Sequence, residues 1–444
     1  MKINGRFLRF REVMVVALPA GVLVIAAFWF TLQFVQPAPP TKIVIGTSRS
    51  TNPYYKLAER YKKFLARHKI TLEVRETAAS SENLKLLKDP ASGVEAGFVQ
   101  GGVTPADMRP GLKSLGRVIY EPVWIFHQAS EKIERLTDLK GKRVLIGPKG
   151  SGTSVLAERL LAANDVTPQT ATLINRELPD YPALFDKGEV DAGFLVVGAS
   201  APVIQKLLES PSARLLNLSR ATAYTKRFPY LMRLDLEQGV VNFAKNIPPA
   251  DTAMVAATAG VIVRDNLHPA LANLLTQALV SVHSEPVLNA KGEAPIFQRA
   301  GEFPMSSDAE FGMSEDARQV YRQGAPFLQR FLPFWLATTV DRLFVMALPV
   351  IGVLLPVLQL APTLYTWRVR QRILHWYKEL KEVETGLNSK SDPRRLALKQ
   401  ARVEEIEEAV NEIPVPLDFS NQLYDLREHI DVVRRRLAAI KAAI

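Results

Sequence analysis

Lys42-Ile43-Val44-Ile45-Gly46, followed by Thr47-Ser48-Arg49-Ser50-Thr51 and then Asn52-Pro53, is the stretch that decides the fold. Consecutive β-branched residues closed by a glycine read as a short buried strand. Asn52 before Pro53 reads as an N-cap and a first helical residue. Tyr54, Leu57, Tyr61 and Leu65 continue the helix at its own spacing, and an extended pattern resumes at Leu72. About a hundred residues later the pattern returns: Arg143-Val144-Leu145-Ile146-Gly147, a Gly/Ser turn from Pro148 to Thr153, and a helix from Ser154. A second echo supports the first. Glu95-Ala96-Gly97-Phe98-Val99-Gln100-Gly101-Gly102 is matched by Asp191-Ala192-Gly193-Phe194-Leu195-Val196-Val197-Gly198. Strands alternating with helices predict a mainly parallel sheet, and two copies predict two α/β lobes. Ligands of such sheets bind beyond the carboxyl ends of the strands, so two facing lobes make a cleft.

Around this core, composition removes several classes. The 444 residues are 47% hydrophobic and 23% charged, which is ordinary globular usage. There is no cysteine, which excludes disulfides, thiolate catalysis, cysteine-ligated metal and lipid attachment through cysteine. The net charge of +11 divides into +3 for residues 1–40, +6 for residues 41–335 and +2 for residues 336–444. No region carries a nucleic-acid-like excess, so nucleic acid is rejected as a partner.

Two uncharged runs flank the lobes, residues 13–41 and 343–367. The first holds an apolar core of about 20 residues, enough to span a bilayer as a helix. Its alternative, a cleaved signal peptide, is disfavoured by length and by Pro37-Ala38-Pro39-Pro40 where a small-residue cleavage site would stand. The second contains Pro349, Pro356 and Pro362, which damage a soluble helix but are tolerated in membranes. Lys2, Arg6, Arg9 and Arg11 precede the first run, and Arg368, Arg370, Arg372 and Lys378 follow the second. By the positive-inside rule both ends are cytoplasmic. The expected layout is a cytoplasmic end (1–12), a first span (13–35), a linker (36–41), an outer domain (42–335), a second span (343–365) and a cytoplasmic helical tail (366–444). Within the outer domain, lobe one takes residues 42–128 and 250–330, and lobe two takes 129–249. The expected fold is thus a two-lobed type II periplasmic-binding-protein-like α/β domain, flanked by two transmembrane helices and an α-helical tail.

The turns at the strand ends carry the candidate chemistry. Ser151, Gly152 and Thr153 offer hydroxyls and backbone N–H groups at a helix N-terminus, a place that favours an anion; plain helix capping is the competing reading. The G-x-x-x-x-G-K-[ST] phosphate loop is not met, because Thr153 stands where lysine is required. Thr47 and Ser48 hold the equivalent place in lobe one, and Gln100-Gly101 ends another strand. Tyr120, Glu121 and Trp124 lie in a run leading towards lobe two, with Trp124 as easily core as ligand contact. An enzyme reading finds no histidine pair at metal-ligand spacing and no G-x-S-x-G elbow. Asp107, Glu121 and Asp191 have no partner visible in sequence. No cofactor and no metal is expected.

Several motifs in succession resemble a known family. Tyr54-Tyr55, Ser81-Glu82-Asn83-Leu84, Phe98-Val99-Gln100-Gly101-Gly102, Tyr120-Glu121-Pro122-Val123-Trp124, Asp138-Leu139-Lys140-Gly141-Lys142-Arg143 and Gly150-Ser151-Gly152-Thr153 follow in order. They resemble the TAXI-type solute-binding subunits of TRAP transporters, and Arg227-Phe228-Pro229-Tyr230-Leu231 resembles their membrane-tethered branch. The resemblance implies a periplasmic receptor that closes on a small organic anion or an amino acid and delivers it to TRAP membrane subunits in the inner membrane. It places binding on Thr47, Ser48, Tyr54, Gln100, Gly101, Tyr120, Trp124, Ser151, Gly152 and Thr153. The turn Ser48-Arg49-Ser50-Thr51-Asn52-Pro53 departs from the glycine-rich form usual there. A sensor or adaptor acting through the tail is the alternative. In the tail, Leu396, Val403, Ile406 and Val410, then Leu423, Leu426, Ile430, Val433 and Leu437, predict two helices paired as an antiparallel hairpin.

Overall fold

The computed structural model describes residues 5–33, 37–50, 52–284, 295–299, 301–385, 393–413 and 419–442. The expected turn at Asn388-Ser389-Lys390-Ser391-Asp392 and the break at Pro414-Val415-Pro416 lie outside them. The chain divides into two compact units, Ala38–Thr338 and a second made of Met1–Pro37 with Thr339–Ile444.

The first unit is built on strands β1 (Lys42–Gly46), β2 (Thr71–Arg75), β3 (Ala96–Gln100), β4 (Leu112–Gln128), β5 (Arg143–Leu145), β6 (Thr172–Ile174), β7 (Ala192–Val196), β8 (Ala213–Leu215), β9 (Leu231–Leu236) and β10 (Thr252–Arg264). They hydrogen-bond in the order β2-β1-β3-β10-β4-β7-β5-β6, with β8 added on β4 and β9 on β10. The expectation of a mainly parallel sheet is corrected. Pairing is parallel inside each lobe, β1 with β2 and β3, β5 with β6 and β7. It is antiparallel wherever β4 or β10 takes part. The reason is that β4 and β10 are long enough to belong to both lobes, running in opposite directions. Residues 259–263 of β10 pair with β3 of lobe one, while residues 252–257 pair with β9 of lobe two. The expected boundary at Gln128 falls at the far end of β4, and the return falls inside β10.

Each lobe has its own apolar packing. In lobe one, the helix Pro53–Arg67 buries Tyr54, Leu57, Ala58, Tyr61 and Leu65. They meet Ile43, Ile45 and Phe98 and the helix Pro269–Ser284. Pro53 does occupy the first helical position, but Asn52 caps only by backbone conformation, without a side-chain bond. In lobe two, the helix Gly152–Ala162 buries Leu156, Ala157, Leu160 and Leu161 against Val144, Ile146, Phe194 and Val196.

Two polar clusters fasten lobe one, the first within the lobe and the second to the shared strands. Asn83, fully buried, donates to the carbonyls of Thr47 (2.7 Å) and Phe98 (2.9 Å) and accepts from the Thr77 hydroxyl (2.8 Å). It lies so close to β3 that a β-carbon on Gly97 would stand 3.3 Å from its own, a tight contact. Arg117 of β4, 3% exposed, pairs with Asp308 at 2.6 Å and lies 3.6 Å from Glu310. Its other amino group donates to the carbonyls of Thr258 (3.0 Å) and Val99 (3.3 Å).

The second unit is helical. A helix Gly5–Leu32 contains the apolar stretch Gly21–Leu32. A helix of 52 residues, Phe334–Thr385, then runs unbroken past Pro349, Pro356 and Pro362, about 78 Å of rise. By length and composition, one segment among the described residues suffices to cross a membrane, Phe334–Pro356, nine residues earlier than expected. The two tail helices expected to pair do pack together, and the long helix joins them. Val369, Ile373, Leu380 and Val383 of the long helix join Leu396, Val403, Ile406 and Val410 of the helix Pro393–Asn411 and Leu426, Ile430 and Val433 of the helix Ser420–Ala442. The tail is therefore a three-helix core. Arg402 links Glu379 at 2.9 Å, and Arg434 pairs with Glu407.

Removing one member of a buried ion cluster strands the others. Arg117→Met should lower unfolding free energy by about 3–5 kcal/mol in urea denaturation. The triple change Arg117→Met, Asp308→Asn, Glu310→Gln should recover much of that loss; a single change without effect would show that Asp308 and Glu310 find other partners.

Candidate functional site

The strand ends of the two lobes meet where the paired strands β4 and β10 pass from one lobe to the other. On the lobe-one side stand the residues that follow β1 and β3. Thr47 is fully buried; its N–H donates to the Arg75 carbonyl at 3.0 Å and its hydroxyl to the same oxygen at 2.9 Å, tying β1 to β2. Ser48 is 1% exposed and its hydroxyl has no partner among the described residues. Gln100 is 6% exposed; its backbone N–H donates to the Ser80 hydroxyl (3.0 Å), and its side-chain Nε2 has no partner either. The Gly101 N–H donates to the Thr258 carbonyl at 2.9 Å, fastening this strand end to the crossover.

On the lobe-two side is the N-terminus of the helix Gly152–Ala162. The Ser151 hydroxyl accepts from the Ser154 N–H at 3.2 Å, a regular N-cap. The Thr153 hydroxyl accepts from the Val196 N–H at 3.2 Å, tying the helix start to β7. The Ser151 hydroxyl thus carries the capping role that competed with ligand contact, and the Thr153 hydroxyl is engaged by β7. Gly152 faces Gln100 across the cleft: a β-carbon there would come within 2.8 Å of Gln100 Cδ. The Ser81 hydroxyl donates to the Gly150 carbonyl at 3.2 Å, also between the lobes. The lobes stand closed on one another at this line. A hollow of about 250 Å³ lined by Lys62, Ala66, Lys69 and Ile70 opens elsewhere on lobe one and holds no comparable polar set.

Tyr54 and Glu121 form the floor. The Tyr54 hydroxyl donates to Glu121 Oε1 at 2.7 Å, and the ring stacks on Phe98 at 5.0 Å. The second oxygen, Oε2, is buried without a partner among the described residues. Glu121 keeps some accessible surface at residue level, yet protein surrounds its carboxyl on all sides. The dense surroundings govern its chemistry: desolvation pushes the carboxyl up from its ordinary 4.5 to about 7, against the Tyr54 hydrogen bond and the Arg117 charge, which pull it down. The sequence showed no partner for Glu121; tertiary structure supplies Tyr54. Asp191, also without a partner in sequence, pairs with Arg143 at 2.8 Å.

Tyr120 and Trp124 are not brought to this line. They alternate with Glu121 along β4 and point to the opposite face. The Tyr120 hydroxyl donates to Glu302 at 2.7 Å and its ring meets Phe303 edge-on. Trp124 is fully buried between Phe126 and Phe297, its indole N–H donating to the Val197 carbonyl at 2.9 Å. The core reading therefore holds for Trp124. Structure adds residues that sequence did not single out. Ser80 bonds the Gln100 backbone. Glu310 accepts from the Gly102 N–H at 2.8 Å and from Arg109 at 3.2 Å, so a carboxylate of the chain itself occupies that N–H. Burial pushes the Glu310 carboxyl up from its ordinary value. Nothing local announced Glu310, which lies 208 positions from Gly102.

A single sheet shared by two α/β lobes, with polar groups gathered where two crossing strands join them, defines the periplasmic-binding-protein-like class of fold. The chain belongs to the NMT1-like family, which matches residues 45–294. The TAXI-type branch stays a resemblance of motifs. No curated protein matches the chain in sequence. Among solved structures it is similar to the alkanesulfonate-binding protein of Xanthomonas axonopodis pv. citri bound to MOPS, at 24% identity and a TM-score of 0.31, covering 40% of this chain and 61% of that one. The periplasmic aliphatic sulphonate binding protein of Escherichia coli gives 19% and 0.32, over 50% and 65%. An ancestral arginine-binding protein bound to glutamine gives 14% and 0.34, over 54% and 90%.

The Glu121 carboxyl sets a pH dependence with a definite sign. Its folded value lies above the unfolded one, so between about 4.5 and 7 the unfolded chain gives up a proton that the folded chain keeps. Stability from this group is present at low pH and lost as pH rises through 7. Glu121→Gln should therefore gain on the unsubstituted protein as pH rises from 4.5 and level off above 7, read from melting temperatures across that range; a constant difference would assign Glu121 an ordinary carboxyl.

Proposed function

We propose that this protein is a membrane-anchored periplasmic receptor that captures a small organic anion or amino acid between its lobes and hands it to a membrane transporter of the TRAP type. The observation that carries the reading is the set of unpartnered polar atoms at the junction of the lobes: the Ser48 hydroxyl, Gln100 Nε2 and Glu121 Oε2. Buried polar atoms left without partners cost about 1–3 kcal/mol each, a cost a ligand removes by pairing with them. Ser48 and Gln100 can donate to a carboxylate or amide, and the Gly152–Ala162 helix points its N-terminus at the same place. Glu121 can donate when protonated and accept from an N–H when ionised. Binding would draw on differences between open and closed lobes, with β4 and β10 as the connection that flexes.

Anchoring rests on the apolar segment Phe334–Pro356 and on the uncharged run near the N-terminus, with basic residues at both outer flanks. The alternative, a ligand-binding adaptor acting through its tail, is supported by one observation: the tail has its own three-helix core, more than an anchor requires.

A ligand that binds only the folded state raises the melting temperature. The full-length protein in detergent, screened against organic acids and amino acids, should give at least one ligand that does so. Gln100→Ala should weaken that ligand at least tenfold without lowering the ligand-free melting temperature by more than a few degrees, and Gly152→Val should abolish closure. Ser151→Ala and Thr153→Ala, which remove a cap and a strand tie, should lower stability by about 1 kcal/mol each. Turnover of a metabolite by the purified protein would contradict the receptor reading.

A further inference from the structure

Three phenylalanines close together in the chain have opposite fates. Phe334 is 4% exposed and lies in the packing of lobe one, edge-on to His68 at 6.4 Å. Phe327 and Phe331, just before it, are 70% and 73% exposed, and their rings pack on one another at 5.2 Å as one apolar patch. Ordered structure presents them. Phe327–Arg330 is a 3₁₀ turn, and Gln277 of the helix Pro269–Ser284 donates to Gln329 Oε1 at 2.8 Å. The Arg330 guanidinium donates to the carbonyls of Gln323 (2.7 Å) and Ala325 (3.1 Å), and the Phe331 N–H to that of Leu328 (3.2 Å). Position in the chain adds the decisive constraint. The segment Phe334–Pro356 has 23 residues, about 34 Å as a helix against about 30 Å of hydrocarbon, so its first residue stands near the hydrocarbon edge. Three residues of chain reach at most about 11 Å, so Phe331 stays within or beside the headgroup layer.

We propose that Phe327 and Phe331 dip into the headgroup layer of the bilayer and seat lobe one on the membrane surface. The proposal rests on the anchoring reading above. Its physical basis is that an aromatic ring left in water gains by burying apolar area at a lipid interface, where aromatic side chains gather beside membrane spans. A second protein would also cover these rings, but only lipid is brought within their reach by the covalent chain itself. A lobe so seated loses the freedom to tumble on its tether, which favours handing a solute to a partner in the same membrane. Phe243, 85% exposed on lobe two and far from that segment in sequence, is a matched control.

The test uses the full-length protein in vesicles of phosphatidylcholine and phosphatidylglycerol. The chain has no cysteine, so Phe327→Cys, Phe331→Cys and Phe243→Cys each accept a single nitroxide label. Power saturation in electron paramagnetic resonance compares collisions with oxygen, which concentrates in lipid, and with a nickel chelate, which stays in water. The oxygen-to-nickel ratio at positions 327 and 331 should be at least threefold that at 243. Each labelled protein should melt within a few degrees of the unlabelled one, since the rings are exposed; a large drop at 327 or 331 would make them core residues and overturn the seat. Equal ratios at the three positions would overturn it as well. So would rare collisions with both reagents at 327 and 331, because protein rather than lipid would then cover the rings. Alkaline carbonate treatment of membranes separates the two readings. A protein that resists extraction but carries water-exposed labels at 327 and 331 overturns the seat alone; a protein that carbonate releases overturns anchoring and the seat together.

Discussion

Everything in the α/β unit depends on two long strands passing between lobes in opposite directions and on the buried guanidinium that clamps them. Arg117 reaches from β4 to the carbonyl of Thr258 on β10 and to that of Val99 on β3, while Asp308 and Glu310 neutralise it. Without such neutralisation a charge at 3% exposure is prohibitively costly. With it, three strands from different parts of the chain are held at the place where lobe one gives way to lobe two. The Gly101 N–H, bonded to the same Thr258 carbonyl, extends the clamp to the strand end that faces the cleft.

That arrangement explains the division of labour among the polar side chains. Groups whose hydrogen bonds are complete, such as Asn83 and Thr153, serve the frame, and they tie strand ends to helix starts. Groups with open valence, the Ser48 hydroxyl, Gln100 Nε2 and Glu121 Oε2, sit within a few residues of the crossover. The same strand β4 sends Glu121 to one face and Tyr120 and Trp124 to the other, where aromatic packing consumes them. Alternation along a strand, a consequence of backbone geometry alone, thus separates a candidate binding residue from core residues one position away.

The helical unit follows a different logic. Its long helix presents exposed Leu343, Phe344, Val345, Leu355 and Leu364, then turns amphipathic and buries Val369, Ile373 and Leu380 in the tail core. One continuous helix therefore changes character along its length, and it runs unbroken past Pro349, Pro356 and Pro362.

Strands β1, β3, β5 and β7 and the helix that follows β1 were legible from residues alone, because a β-branched run, an Asn-Pro pair and a glycine-rich turn are local instructions carried by adjacent residues. The uncharged runs and the helical spacing of the tail were legible for the same reason. Pairing direction was not, since whether β4 and β10 run alongside or against their neighbours depends on residues more than a hundred positions apart. Nor were the partner of Glu121, the clamp on Arg117, or the packing of the long helix onto the two tail helices. Local sequence determines what each segment can become; only the packed chain decides which charges meet, which hydroxyls are left open and which aromatics are spent on the core, because those energies arise between segments that sequence places far apart.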